Sequence, residues 1–94
     1  MEISLLLWDD ANVAHIARHS VVAAEVEQAL FTGAPLIRVD NTHRVGRLAV
    51  FGATANGRHL AVYLDTPGRN GSSYVLTARP MTRRELLAYQ EATQ

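Results

Sequence analysis

The stretch Arg47–Asp65, RLAVFGATANGRHLAVYLD, decides the fold class. Both of its halves are rich in β-branched and aromatic residues that alternate with period two, which is typical of β-strands. We predict strands over Arg47–Thr54 and His59–Asp65. Between them lies Ala55-Asn56-Gly57-Arg58, the strongest turn signal in the chain, because Asn-Gly tolerates the positive φ angles of a tight type I′ hairpin. The centre of the chain is therefore predicted to be an antiparallel β-hairpin.

Further strands and two helices are predicted around this hairpin. Apolar or β-branched runs predict strands over Ile3–Trp8, Leu36–Asp40 and Ser73–Arg79. Between the first two strands, apolar residues at helical spacing predict helices over Ala11–His19 and Val22–Phe31. An aspartate directly before the first helix, at position 9 or 10, is expected to cap it.

The last helix has the clearest start. Thr82-Arg83-Arg84-Glu85 is a capping box, in which the threonine oxygen accepts the N3 amide proton and the glutamate reaches back to the cap amide. This helix is expected to end near Ala92. The order β-α-α-β-β-β-β-α predicts an α+β domain with a mainly antiparallel sheet of four to five strands. We expect its helices to pack on one face of the sheet and to leave the other face partly open.

Length and composition place the chain in one class. Its 94 residues are enough for one domain, which we assign to residues 1–94, and 48% of them are hydrophobic. The absence of cysteine excludes disulfides, zinc–thiolate sites and thiol catalysis. No apolar run approaches the roughly 18 residues of a membrane span, so we expect a soluble, cytoplasmic protein with no membrane partner.

The formal net charge of zero hides an asymmetry. All nine basic residues are arginine. Up to Asp40 two arginines stand against six acidic residues, whereas from Asn41 onward seven arginines stand against three. Such a distribution is typical of a chain with an anion-binding surface, although a genome that favours arginine codons gives the same composition.

A second basic feature lies at the start of the last helix. Arg79 ends the preceding strand, and Arg83 and Arg84 occupy the first helical turn. Two cations at the positive end of a helix dipole are locally unfavourable, whereas a bound anion would use both the guanidinium groups and the free amides. The alternative is that both helical arginines project into solvent and Glu85 offsets them.

The first helix carries two histidines one turn apart. His15-x-x-x-His19 has a spacing that binds zinc, but Ile16 stands where a zincin has its catalytic glutamate. No third ligand is evident, so we assign no metal and no cofactor. Asn12 shares the stripe of these histidines, whereas Val13 shares the apolar stripe of Ile16. The polar stripe belongs either to a functional site or to an exposed helix face.

Three stretches of the chain resemble BrnT-like proteins. Trp8–His19, WDDANVAHIARH, is similar to the family's opening W-D-x-x-N-x-x-H-I-x-[RK]-H-G, and Glu25–Phe31, EVEQALF, to its following helix E-E-V-E-E-A-L/V-F. Thr77–Glu85, TARPMTRRE, together with Tyr89, resembles the closing [ST]-A-R-x-[AM]-T-x-R-E-x-x-x-Y. Gly57-Arg58 also stands where the family has a Gly-Arg pair. The resemblance covers nearly the whole chain.

This resemblance implies a RelE-like α+β fold and the toxin half of a type II toxin–antitoxin system. Such toxins are ribonucleases that inhibit translation and growth until a cognate antitoxin neutralises them. The implied partner is a small antitoxin, commonly of ribbon-helix-helix type, and operator DNA is bound only through it. The implied assembly is a homodimer or a toxin–antitoxin heterotetramer.

The chain departs from the family pattern at three points. Ser20 replaces the glycine after His19, so we expect a less sharp helix end. Pro80 replaces a residue that is usually charged, which removes a polar contact and stiffens the turn into the last helix. The pI near 6.9 is low for a toxin that is expected to be basic. These departures keep an alternative open, a non-catalytic or attenuated toxin-fold binding module that acts as a subunit of an antitoxin–operator complex.

Metal-independent RNA cleavage requires a base, charge stabilisation on the phosphorane and an acid for the leaving oxygen. Arginines suit the second task because they stay charged and bind phosphate bidentately. We therefore predict that Arg79 and Arg84 hold the scissile phosphate, while Arg58 or Arg83 holds a flanking one.

The remaining roles concern proton transfer and stacking. His19 is the first candidate for acid–base catalysis, because an imidazole titrates near neutrality, and Glu85 is the second. Tyr63 or Tyr89 is predicted either to stack a base or donate a proton, or to pack in the core. Trp8 is predicted to anchor the first strand to the helices.

Overall fold

The computed structural model describes residues 3–40 and 47–93. Within these ranges the chain forms five strands and three helices, which are β1 (Leu5–Leu7), α1 (Asp10–Ala17), α2 (Ala23–Phe31), β2 (Leu36–Asp40), β3 (Arg47–Ala53), β4 (His59–Leu64), β5 (Ser72–Pro80) and α3 (Arg83–Ala92). The strands form one sheet in the order β1-β5-β4-β3-β2. The predicted α+β class and the number of strands are confirmed.

The sheet is mixed. Strands β2 to β5 pair antiparallel in sequence order, which agrees with the predicted mainly antiparallel sheet, whereas β1 pairs in parallel with β5. This parallel pair follows from the chain path: α1, α2 and three strands lie between β1 and β5, which gives the chain enough length to return in the same direction.

The central hairpin has the predicted strands but a different turn. Leu48 pairs with Leu64 and Ala53 with His59, so the register runs through both strands. Gly57 alone in this turn has a positive φ, of 86°, and its amide donates to the Thr54 carbonyl at 2.9 Å. This is a three-residue loop with the glycine in the left-handed region, and the predicted type I′ turn is wrong. The Thr54 side chain explains the difference, because its hydroxyl oxygen accepts the Arg58 amide proton and adds a bond inside the longer loop.

Helices cover both faces of the sheet, which corrects the expectation of a single covered face. Helices α1 and α2 pack their buried Ile16, Val26 and Ala29 on one face, here called the first face. The opposite, second face carries a smaller apolar cluster, formed by buried Ala49, Phe51 and Ala61 and by the side chains packed on it. Tyr89 of α3 is one of these, so the C-terminal helix lies across the second face. Strands β3 and β4 are apolar on both faces, which is what a doubly covered sheet needs.

Helix α1 is held by a buried asparagine. Asp9 caps the helix, and Asn12 completes the capping box by accepting the Asp9 amide proton. The Asn12 amide group also donates to the carbonyls of Leu7, at 2.9 Å, and Val75, at 3.1 Å. Asn12 thus ties α1 to β1 and β5 and is only 2% exposed, whereas Val13, predicted on the apolar stripe, is 43% exposed.

The end of α1 closes sharply despite the serine that replaces glycine. Ser20 has a φ of 59°, in the left-handed region. Its amide donates to the Ala17 carbonyl at 3.0 Å, and the Val21 amide donates to the Ile16 carbonyl at 3.2 Å. These two bonds form a complete Schellman motif, and the side chains of Ile16 and Val21, which flank it, are buried in the same apolar cluster. The expectation of a less sharp helix end is wrong.

The first strand is anchored as predicted. Trp8 packs against the core of the first face, and its indole Nε1 donates to the Glu27 carboxylate of α2 at 2.9 Å. No helix in the described parts of the chain is long and apolar enough to cross a membrane.

Candidate functional site

The second face gathers polar side chains where α3 begins. Arg79 of β5 pairs with Ala61 of β4, whose side chain belongs to the second face. Tyr63 lies two residues after Ala61 on β4, so the side chains of Arg79 and Tyr63 project onto the same face. Glu85, in the first turn of α3, lies above them. We call these three side chains the Arg79 cluster.

The members of the Arg79 cluster are within hydrogen-bond distance of one another. The Arg79 guanidinium donates to both carboxylate oxygens of Glu85, Nη1 to Oε1 at 2.7 Å and Nη2 to Oε2 at 2.9 Å. Nη2 also donates to the Tyr63 hydroxyl at 3.1 Å, and that hydroxyl donates to Glu85 Oε2 at 3.3 Å. The Arg79 side chain is 30% exposed and that of Glu85 16%, so a ligand can approach the pair from solvent.

Glu85 is positioned by the helix cap. Its Oε1 accepts the Thr82 amide proton at 2.8 Å, and the Thr82 hydroxyl oxygen accepts the Glu85 amide proton, which is the predicted capping box. The same carboxylate therefore caps α3 and pairs with Arg79. Arg79 Nη1 also donates to the Pro80 carbonyl at 3.3 Å, so the guanidinium is fixed at the strand end.

The cluster shifts the titration of all three groups. Hydrogen bonding from Arg79 is the main cause that lowers the pKa of Glu85 to about 2, so the carboxylate is ionised at neutral pH. The same bond raises the pKa of Arg79. Burial is the main cause that raises the pKa of Tyr63, which keeps its phenol protonated.

A second arginine approaches Tyr63, and sequence reasoning missed it. The Arg47 Cζ lies 5.2 Å from the ring centroid of Tyr63, and the Arg79 Cζ lies 5.5 Å from it. Arg47 Nε is 3.9 Å from Asp40 Oδ2 and has no hydrogen-bond partner among the residues that the structure describes. The period-two alternation of β3 could have predicted this contact. It places Arg47 on the same face as Ala49, and Ala49 pairs with Tyr63.

Arg58 has a different environment from the one predicted. Its Nη1 donates to both carboxylate oxygens of Glu25 at 3.0 Å and to the Ser20 carbonyl at 2.6 Å. The side chain thus joins the β3–β4 loop to the connection between α1 and α2.

His19 lies apart from the Arg79 cluster. It follows α1, which packs on the first face, and its side chain makes no hydrogen bond or ion pair with Arg79, Glu85 or Tyr63, all of which lie in the described ranges. The ring meets that of His15 edge-on, with centroids 5.9 Å apart. In the parts of the chain that the structure covers, no group of three or more histidine, cysteine or acidic residues is placed to hold a metal ion.

The other predicted residues lie around α3. Arg83 and Arg84 are exposed in its first turn, and neither side chain makes a hydrogen bond or ion pair with another described residue. Tyr89 packs on the apolar cluster of the second face and meets the ring of His59 edge-on at 5.7 Å. Of the eight predicted site residues, the structure therefore brings three into hydrogen-bond contact, Arg79, Glu85 and Tyr63.

Comparison of the chain with protein-family models, with curated proteins and with solved structures finds no match. The likeness to BrnT-like proteins therefore rests on the motifs quoted above.

Proposed function

We propose that this chain is a metal-independent endoribonuclease with a RelE-like fold, the toxin of a type II toxin–antitoxin system. One observation carries the proposal. The Arg79 cluster combines an arginine fork, an ionised carboxylate and a protonated phenol on an accessible sheet face. Those are the groups that cleavage by the RNA's own 2′-hydroxyl requires. The resemblance to BrnT-like toxins supports the same activity.

Phosphate binding is proposed to open the Arg79–Glu85 pair. A carboxylate with a pKa of about 2 is a weak base at neutral pH. A phosphate that takes the guanidinium fork removes the main cause of this low pKa, so the pKa of Glu85 rises toward its ordinary range. The substrate thereby makes Glu85 a better base at the moment when one is needed.

The proposed chemistry then needs two proton transfers. Glu85 accepts the proton of the 2′-hydroxyl while the 2′-oxygen forms a bond to phosphorus, and Arg79 stabilises the charge on the phosphorane. The bond from phosphorus to the 5′-oxygen breaks as Tyr63 donates its proton to that oxygen. The products are a 2′,3′-cyclic phosphate and a 5′-hydroxyl. In this scheme Glu85 is the general base and Tyr63 the general acid, whereas the sequence predicts His19 as the first candidate for acid–base catalysis.

An antitoxin is the proposed partner, of ribbon-helix-helix type, and it is also the proposed link to operator DNA. Strand β2 ends the strand order of the described sheet, and its Ile37 and Val39 are 45% and 56% exposed. Apolar side chains on an edge strand are a feature that a protein partner commonly covers. This surface supports the partner proposal.

The activity is tested by expressing the chain without a partner and following growth and total RNA. We expect growth arrest and RNA loss, and Arg79→Ala is expected to lower cleavage about a hundredfold because it removes the charge-stabilising group. His19→Ala and the matched control Arg69→Ala, in an exposed loop, should cleave as the unsubstituted chain does. Normal growth and intact RNA at equal soluble levels would contradict the proposal.

A second candidate function is a non-catalytic binding module. The closed Arg79–Glu85 pair favours it, because both ends of the guanidinium fork are already satisfied. In that case the unsubstituted chain would itself leave RNA intact, and Glu85→Gln would lower only the stability of the domain.

A further inference from the structure

An open cavity lies between β2 and α3, on the face that carries the Arg79 cluster. Its volume is about 330 Å³, and it is lined by Arg38, Ala88, Glu91 and Ala92. Arg38 pairs with Ala49 of β3, which pairs with Tyr63 of β4. Two strand spacings, about 10 Å, therefore separate the backbone of Arg38 from that of Tyr63. Arg79 stands on the next strand, but its guanidinium extends over Tyr63, with Cζ 5.5 Å from the ring centroid and Nη2 3.1 Å from the hydroxyl. A single nucleotide spans a distance of the order of the two strand spacings between its phosphate and the far edge of its base.

The cavity holds one donor group and one acceptor group that are not paired with each other. Arg38 lies on the sheet and Glu91 on the helix, and neither side chain makes a hydrogen bond or ion pair with another residue of the described ranges. A guanidinium offers only donors and a carboxylate only acceptors. Ala88 and Ala92 add methyl groups to the helix wall, against which a flat ring can pack.

We infer that this cavity binds a guanine base of the RNA next to the scissile phosphate, an inference that rests on the proposed ribonuclease function. Guanine presents two neighbouring acceptors, O6 and N7, which fit an arginine fork. It also presents two neighbouring donors, N1–H and the N2 amino group, which fit a carboxylate. Adenine, cytosine and uracil lack this pair of neighbouring donor groups, so they leave part of the carboxylate unsatisfied.

The charge of the cavity also selects a base over a phosphate. Glu91 opposes a second anion beside Arg38, whereas a neutral base meets no such repulsion. The phosphate is left to Arg79, whose nearest carboxylate is the one that the proposed mechanism displaces. Base and phosphate are thus assigned to opposite ends of one face.

Binding of guanosine monophosphate to the purified chain tests the inference, with the adenosine, cytidine and uridine monophosphates as competitors. Calorimetry or an NMR titration should show guanosine monophosphate bound about tenfold more tightly than the others. Arg38→Ala and Glu91→Gln should each abolish this preference, while Arg69→Ala keeps it, and circular dichroism checks that each variant is folded. Equal affinity for all four nucleotides, or an unchanged preference in both folded cavity variants, would overturn the inference.

The positions of cleavage separate this inference from the proposed function. RNA cut without any bias for guanine would overturn the guanine site and keep the ribonuclease. Selective binding of guanosine monophosphate with no cleavage of RNA would support the guanine site and overturn the ribonuclease.

Discussion

The buried side chain of Asn12 makes three hydrogen bonds that connect helix α1 to two strands. Its amide group satisfies two carbonyls on two strands and its oxygen accepts an amide proton at the start of α1, so all three contacts are lost together when it is truncated. A buried polar group left without a partner costs about 1–3 kcal/mol, and here several would be left.

We expect Asn12→Ala to lower the free energy of unfolding by about 3 kcal/mol, because it orphans buried backbone groups. Urea denaturation measures this change. Val13→Ala, one residue further on and exposed, is the matched control and should cost less than about 1 kcal/mol. A loss at Asn12 as small as that of the control would show that the three bonds contribute little.

The left-handed backbone conformation of Ser20 is less favourable for serine than it would be for glycine. We expect Ser20→Gly to raise the free energy of unfolding by about 0.5–1 kcal/mol, because the native φ of 59° is strained for a side chain and free for glycine. Ala14→Gly, inside the same helix, should instead lower it by about 1 kcal/mol. Thermal unfolding of both variants decides the matter, and destabilisation by Ser20→Gly would contradict the account.

At the scale of elements, the closest contact between helix and sheet is that of α2 with β3. A Cβ atom on Gly52 would overlap the Ala29 backbone carbonyl, so this strand position admits no side chain while α2 keeps its place. The helix is thereby seated directly on the first face.

Gly52→Ala is expected to cost about 3 kcal/mol of unfolding free energy, because α2 must move away from β3. Gly33→Ala is the matched control, since nothing lies within 4 Å of its added Cβ and the cost is confined to its φ of 80°. Chemical denaturation should rank the two variants in this order, and equal losses would argue against the close contact.

The sequence predicted most elements because each has a local signal. Strand β2 has the predicted bounds, and the capping box places the start of α3 at the predicted residue. The parallel pairing of β1 and the position of α3 depend on contacts between distant residues, for which local periodicity has no signal. The apolar residues on both faces of β3 and β4 did, however, indicate that both faces of the sheet are covered.

The part of the site that the sequence predicted is likewise the part whose residues are close together in the chain. Arg79 and Glu85 lie six residues apart and share a motif, so their proximity was accessible from the sequence. The pairing of Arg58 with Glu25, 33 residues away, was not accessible, and it gives Arg58 a structural contact instead of a free guanidinium.

At the scale of the whole molecule, acid should weaken the fold through Glu85. Its pKa of about 2 in the folded chain lies below the ordinary value of 4.5, so the ionised carboxylate stabilises the native state above pH 4.5. This contribution is lost as the pH falls from about 4.5 toward 2.

We expect the free energy of unfolding to fall less steeply over this pH range in Glu85→Gln than in the unsubstituted chain. Denaturation at a series of pH values measures the slope. Asp10→Asn, another exchange of a carboxylate for an amide in the first turn of a helix, should keep the steep slope. Identical slopes in Glu85→Gln and the unsubstituted chain would contradict the assignment.

The neutral net charge of the molecule is compatible with RNA binding, because the charges are unevenly placed. The second face carries three arginines that each have a carboxylate nearby, Arg47 with Asp40, Arg79 with Glu85 and Arg38 with Glu91. The excess of positive charge comes from the exposed side chains of Arg83 and Arg84 at the start of α3, which have no ion-pair partner among the described residues. The proposed RNA path runs across this second face from the Arg79 cluster to the cavity beside β2.

The most direct test of the ribonuclease proposal maps 5′-hydroxyl RNA ends in cells that express the chain without a partner. Attack by the 2′-hydroxyl leaves such ends, so the account predicts their accumulation with the unsubstituted chain and with Arg69→Ala. Arg79→Ala, at an equal soluble level, should reduce them about a hundredfold. An unchanged end profile with the unsubstituted chain, or equal accumulation with Arg79→Ala, would contradict the account.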